Sequence, residues 1–197
     1  NIFGLQDEIT SKIASALTVK LTGEDKARLK IKETDNLEAY EAWLKGKEYQ
    51  GPRTPEGIAK AYSYYKLAIE LDPNYSRAHA YLANIYIIST SAGFPIKWRE
   101  KMGLSDERGR LMARKHMEIS MDKPTSTSHI IASYLALSRR RFNKAITHAE
   151  HAIAIDPNDS DAYWAMARLL NLTGRHLESL EFVKKSMRLD PHDIADD

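Results

Sequence analysis

The sequence contains no cysteine. That excludes disulfides, thiolate metal sites and cysteine nucleophiles at once, and leaves the compartment undecided. It also lacks an excess of either charge: 29 Lys and Arg face 27 Asp and Glu, a formal net of +2. A protein dedicated to nucleic acid carries a marked basic surplus, so nucleic acid is not expected as a partner. Long apolar runs are missing too. The stretch from Tyr81 to Ile88 is far short of the roughly 18 residues a spanning helix needs, so no membrane segment is expected. With neither an initiator methionine nor a signal-peptide pattern, the chain reads as a piece of a longer product. Its default location is cytoplasmic, or periplasmic should a membrane helix precede it.

Catalytic signatures are absent as well. There is no Gly-x4-Gly-Lys-Ser/Thr, no Gly-x-Ser-x-Gly and no His-Glu-x2-His, which removes a nucleotide cradle, an activated serine and a zincin centre. His148 and His151 lie within one turn of a predicted helix, but two histidines without a third ligand make no metal centre. His79 and His129 read as packing residues. The carboxylate pairs Asp106-Glu107 and Asp196-Asp197 fall at a helix start and at the chain end, where capping and solvation explain them. No catalytic, cofactor or metal site is therefore expected in this fragment, and no enzymatic activity of its own. The bases between Lys97 and Lys115, and the run Arg139-Arg140-Arg141, read as solvated faces and helix-end charges.

What is present is a repeat. Ala68-Ile-Glu-Leu-Asp-Pro-Asn-Tyr75 returns as Ala152-Ile-Ala-Ile-Asp-Pro-Asn-Asp159 and as Ser186-Met-Arg-Leu-Asp-Pro-His-Asp193. Pro157 and Pro191 stand 34 residues apart, and a weaker copy, Glu118 to Thr125, falls where a further repeat is due. Recurrence at that period means a helical hairpin copied in tandem, an architecture that binds partners more often than it does chemistry. The interval from Pro73 to Lys123 is sixteen residues longer than one period, so one repeat carries an insertion, placed near 89–105 by its Gly93 and Pro95.

Helix signals subdivide the chain. Leu5, Ile9, Ile13, Ala16, Leu17 and Leu21 form one apolar stripe of an N-terminal amphipathic helix, and Thr22 with Asp25 resembles a capping box. Asn36 reads as the N-cap of the next helix. Thr54-Pro55-Glu56 is a further start, with hydroxyl cap, proline in the first turn and an acid at the positive end of the dipole. The expected organisation is residues 1–35 as capping or linker helices and 36–197 as a solenoid. Its repeats cover about 39–75, 76–125, 126–159 and 160–193.

The spacing resembles the tetratricopeptide repeat (TPR), carried by Tyr163, Ala167, Gly174, Ser179, Ser186 and Pro191 in the last copy and by Ser133, Ala145, Ala149, Ala152 and Pro157 in the third. The resemblance implies a right-handed α-solenoid of about four hairpins, with small residues where paired helices touch. In the second repeat Leu111, Lys115 and Glu118 stand where small or aromatic residues belong, which leaves the register there open. Carried over by position, the family's concave face would present Trp43, Lys47, Arg77, Tyr81, Asn84, Ile130, Tyr134, Trp164 and Arg168. Asn84 matches the family's carboxylate clamp, but Ile131, Asp161 and Ala165 do not, so an apolar peptide or helix is the expected ligand. Phe94 and Trp98 in the insertion either tuck onto the repeats or meet a partner.

A second resemblance covers residues 2–73. Ile2-Phe-Gly-Leu-Gln-Asp-Glu-Ile9, Thr34-Asp-Asn-Leu-Glu-Ala-Tyr40 and Arg53-Thr-Pro-Glu-Gly57 are similar to a junction between TolB-like domains and TPRs in large bacterial signalling proteins. Many of those are class III adenylate or guanylate cyclases. The resemblance implies a C-terminal regulatory region that binds a protein or peptide. The alternative is a structural or oligomerisation domain, with a homodimer through the face of Leu180 and Val183.

Overall fold

The computed structural model describes residues 33–191 except Ala92, together with Gly4, Leu5, Glu8, Ile9 and Lys12. The expected N-terminal stripe and the Thr22 capping box therefore lie largely outside the described residues. Among those residues there is no strand. The helices are α1 (Leu37–Gln50), α2 (Pro55–Leu71), α3 (Ser76–Ser89), α4 (Ile96–Lys101), α5 (Asp106–Ser120), α6 (Ser126–Ser138), α7 (Phe142–Ile155), α8 (Ser160–Leu172) and α9 (His176–Leu189).

Local chemistry sets most of these ends. Asn36 Oδ1 accepts the Ala39 N–H at 3.1 Å, and Thr54 Oγ1 accepts that of Gly57 at 3.0 Å. Ser105 and Thr125 open α5 and α6 in the same manner. Each such cap satisfies one of the amide donors that a helix start leaves unpaired, for about 1 kcal/mol. The recurring Asp-Pro phrase is a stop. Asp72, Asp156 and Asp190 all leave the helix with φ between −135° and −139°, the extended conformation that a following proline enforces. Asp72 and Asp156 then accept the N–H two residues on, each at 3.0 Å, which turns the chain into the next hairpin.

The tertiary arrangement is a row of hairpins. α1 pairs with α2, α3 with α5, α6 with α7 and α8 with α9. α3, α6 and α8 then lie side by side as an inner row, while α2 packs on α3 and α7 on α8. This is a TPR-like, all-helical repeat. Three apolar clusters run along it, one per stacking interface.

Small residues set the helix separations. Ala61, Ala68, Ala145, Ala149 and Ala152 are fully buried. In the first hairpin the approach is closer still: a methyl group on Gly46 would stand 2.4 Å from the Tyr65 ring, and one on Gly57 would stand 2.3 Å from the Tyr49 carbonyl oxygen. Tyr65 fills the space so created and donates its hydroxyl to Gln50 Oε1 at 2.8 Å.

The second hairpin settles the open register. On α5 the buried residues are Gly109, Ala113, His116, Met117 and Ser120. The small positions exist but fall two residues later than the spacing from Lys123 suggests, at Ala113 and Ser120, because the chain from Ser120 to the start of α6 is shorter than that from Ala68 to α3 or from Ala152 to α8. Leu111, Lys115 and Glu118 are exposed. The insertion folds inward: Phe94, Met102 and Leu104 are buried, and Trp98 packs on the first cluster. It also contains a six-residue helix that periodicity does not reveal, closed by an ion pair between Arg99 and Asp106.

Candidate functional site in the inner helix row

The nine residues expected on the concave face separate into two groups. Trp43, Arg77 and Tyr81 form one cluster with Tyr40 and Tyr75. The Trp43 ring lies 5.7 Å from Tyr40, 6.3 Å from Tyr75 and 5.8 Å from Tyr81, and the Arg77 guanidinium stacks 5.1 Å from its centroid. Arg77 is also ion-paired with Glu33. A cation in the first turn of α3 opposes the helix dipole, and the Glu33 carboxylate offsets that cost. Glu33 lies within the expected linker, and no local motif pointed to it. The signal available in the sequence was Arg77 itself, a base at a helix start with no acid on its own helix to answer it.

Burial raises the pKa of Glu33, Arg77 beside it lowers it, and the charges of Asp156 and Asp159 raise it further, leaving a net increase. Burial likewise pushes the Tyr81 phenol up, assisted by Asp161. Three buried polar atoms in this cluster have no hydrogen-bond partner among the described residues: Trp43 Nε1, Arg77 Nε and Glu33 Oε2. Unmet donors and acceptors of this kind cost about 1–3 kcal/mol each wherever water does not reach them.

The second group belongs to the third and fourth hairpins. Arg168 stacks on Tyr134 with its guanidinium carbon 5.5 Å from the ring centroid. Trp164, one turn earlier on α8, is 43% exposed. Tyr134 is half-buried, and its pKa is raised to about 12, first by burial and then by Asp161, with Arg168 and Arg53 acting in the opposite sense. Of the remaining positions, Ile130 is buried in the second apolar cluster, Asn84 is half-buried and Lys47 is exposed.

The histidines form contacts that sequence reading did not anticipate. His79 Nε2 faces the Pro73 carbonyl at 3.0 Å and so carries a proton, which leaves its Nδ1 to accept from His116 Nδ1 at 2.8 Å. His129 and His148 repeat the contact one hairpin on, with Nδ1 atoms 3.1 Å apart. Burial lowers the pKa of all four, to about 4 for His116 and His129. His79 and His129 thus pack the A helix of a repeat against its B helix. Among the described residues no group of three or more side chains is placed to hold a metal ion.

No protein-family profile matches the chain. It is 31% identical over 111 residues to a putative adenylate cyclase 3 of Rhizobium meliloti, covering 54% of this chain and 19% of that protein. Over 84 residues it is 26% identical to Superkiller protein 3 of Schizosaccharomyces pombe, covering 43% of this chain and 6% of that one. The chain thus spans under a fifth of the length of the curated relatives it matches. A crystal structure of MamA aligns with a TM-score of 0.44 at 19% identity, over 73% of this chain and 74% of that one. The fold assignment rests on the helix contacts of this chain.

Proposed function

We propose that this region is a protein–protein interaction module whose inner helix row receives a peptide segment of a partner. The observation that supports this most is the accessible aromatic and cationic surface of Tyr134, Trp164 and Arg168 on α6 and α8. Aromatic anchors beside arginine are the usual chemistry of interaction hot spots. Of the nine residues expected on the concave face, Trp43, Lys47, Arg77, Tyr81, Asn84, Ile130, Tyr134, Trp164 and Arg168, the exposed or half-buried ones are the proposed contact set, with the buried Trp43 and Ile130 supporting it from behind. We further propose a regulatory role within a larger bacterial signalling protein, such as an adenylate or guanylate cyclase. Its support is the segment shared with a putative adenylate cyclase. The chemistry of such a parent would lie in another domain.

The test is affinity capture with the intact repeat region, identification of the bound protein, and titration calorimetry with wild type and a Trp164→Ala/Tyr134→Ala double variant. A loss of at least about tenfold in affinity is expected. Unchanged affinity would place the ligand elsewhere. One observation favours a second reading as an oligomerisation domain: Leu177, Leu180 and Met187 of α9 are exposed. Light scattering across a concentration series that showed a dimer would support it.

A further inference from the structure

The outer helices of the hairpins meet their neighbours through two repeat positions. In α2 these hold Tyr62 and Ile69, in α7 Ile146 and Ile153, and in α9 Leu180 and Met187, seven residues apart in each case. Tyr62 packs edge-on against Tyr86 of α3, with ring centroids 5.8 Å apart, and Ile69 joins the same cluster. Ile146 and Ile153 pack in the cluster that contains Met166, Leu169 and Leu170 of α8. In both helices the pair is thus partly covered at the junction with the following hairpin. No helix follows α9 among the described residues, and there Leu180 is 53% and Met187 43% exposed, with Leu177 extending the same stripe.

The charges beside that stripe distinguish α9 from its counterparts and indicate what covers it. Next to Leu180 and Met187 stand Glu181 and Arg188, both exposed and also seven residues apart. The same positions hold Ser63 and Glu70 in α2 and Thr147 and Ala154 in α7, so of the three helices only α9 carries opposite charges there. Such a face is complementary to itself when reversed. Two antiparallel copies of α9 about a twofold axis near Lys184 set each Leu180 against Met187 of the other copy, and each Glu181 against its Arg188. The two pairs have almost the same midpoint, so one axis satisfies both, whereas a parallel pairing opposes like charges. Arg188 takes part in no ion pair among the described residues. Glu181 Oε1 holds the Lys184 ammonium at 2.8 Å, which neutralises the lysine beside the axis and leaves Oε2 for an arginine.

We propose that α9 is the interface between two copies of this chain, packed antiparallel through Leu177, Leu180 and Met187 and fixed in register by reciprocal Glu181–Arg188 pairs. This rests on the oligomerisation reading and gives it a defined surface, and it uses no residue of the proposed peptide contact set. A single helix pair lies at the small end of protein interfaces, so a weak dimer is expected, with a Kd on the order of 10–100 µM.

The experiment is sedimentation of the full chain across a concentration series, with wild type, Glu181→Arg, Arg188→Glu and an equimolar mixture of the two variants. Both side chains are exposed, so the reversals should leave the helical circular dichroism unchanged. Each variant alone should self-associate about tenfold more weakly than wild type, because both charge pairs become repulsive. The mixture should associate about as tightly as wild type, since an all-arginine face then meets an all-glutamate one. A dimer that neither reversal weakens would overturn the α9 interface and leave oligomerisation through another surface standing. A wild type that stays monomeric up to about 1 mM would overturn both, and would leave the α9 face to a helix of the same chain or of a different protein.

Discussion

Trp43 and Trp164 occupy the same position of the repeat, in its first and last copies, and meet opposite fates. Trp43 is 5% exposed, enclosed by three tyrosines and roofed by Arg77, whose charge is answered by Glu33. Trp164 is 43% exposed, and Arg168, one turn further on, lies over Tyr134 with no ion pair among the described residues. One repeat position therefore serves stability at one end of the molecule and remains available for contact at the other. The difference comes from neighbours. The Tyr65 ring against Gly46 and the Tyr49 backbone against Gly57 close the first hairpin, whereas the last relies on Ala162, Ala165, Ser179 and Ser186 and leaves its aromatic outside.

The comparison breaks most visibly on truncation. Trp43→Ala should cost about 3–5 kcal/mol, the usual penalty for emptying a buried aromatic site, and Trp164→Ala should stay within about 0.5 kcal/mol. Urea midpoints of the two variants measure this, and equal losses would remove the distinction. Next in size, Gly57→Ala drives a methyl group into the Tyr49 carbonyl, a backbone atom that cannot swing aside. Ala152→Leu overfills the contact of α7. Each should lower stability by about 1–3 kcal/mol in the same assay.

Acid should loosen the middle hairpins in preference to either end. His116 and His129 have folded pKa values of about 4 against an ordinary value of 6.5, so the folded state binds their protons less readily than the unfolded chain. Their contribution is complete above pH 6.5 and is lost as the pH falls from there toward 4, by roughly 1–3 kcal/mol for each pair. Replacing His116 with Gln should flatten the slope of urea stability between pH 6.5 and 4, and an unaltered slope would remove His116 from the account. The smallest effect is expected at Arg140, which holds φ at +55° in the α6–α7 turn. Arg140→Gly should be neutral or stabilising by up to about 1 kcal/mol, checked by thermal melting.

The fold was legible because its signals are local and repeated. Asn36, Thr54 and Ser105 start helices where their side chains can cap, and the Asp-Pro phrase stops them, so class, hairpin number and most boundaries follow from short-range chemistry. The insertion helix was not legible, because six residues are too few to show a period. The register of α5 stayed open because the chain between its last small residue and α6 is shorter than its counterparts, which breaks the count that works elsewhere. For the candidate site, position within the repeat named Trp43, Tyr134, Trp164 and Arg168, but it could not say which would be covered. That depends on long-range partners such as Glu33, which pairs with Arg77 across a sequence separation of 44 residues. The His79–His116 pair was hidden for the same reason, since 37 residues separate two rings that only the folded hairpin brings together.

The sealed and open tryptophans can be read directly from hydrogen exchange of their indole N–H groups, assigned by single Trp→Phe substitutions. Trp43 should exchange slowly although its Nε1 donates to no protein atom, and Trp164 should exchange at nearly the rate of a free indole. Comparable protection at both positions would contradict an inner row that is closed at its first hairpin and open at its last.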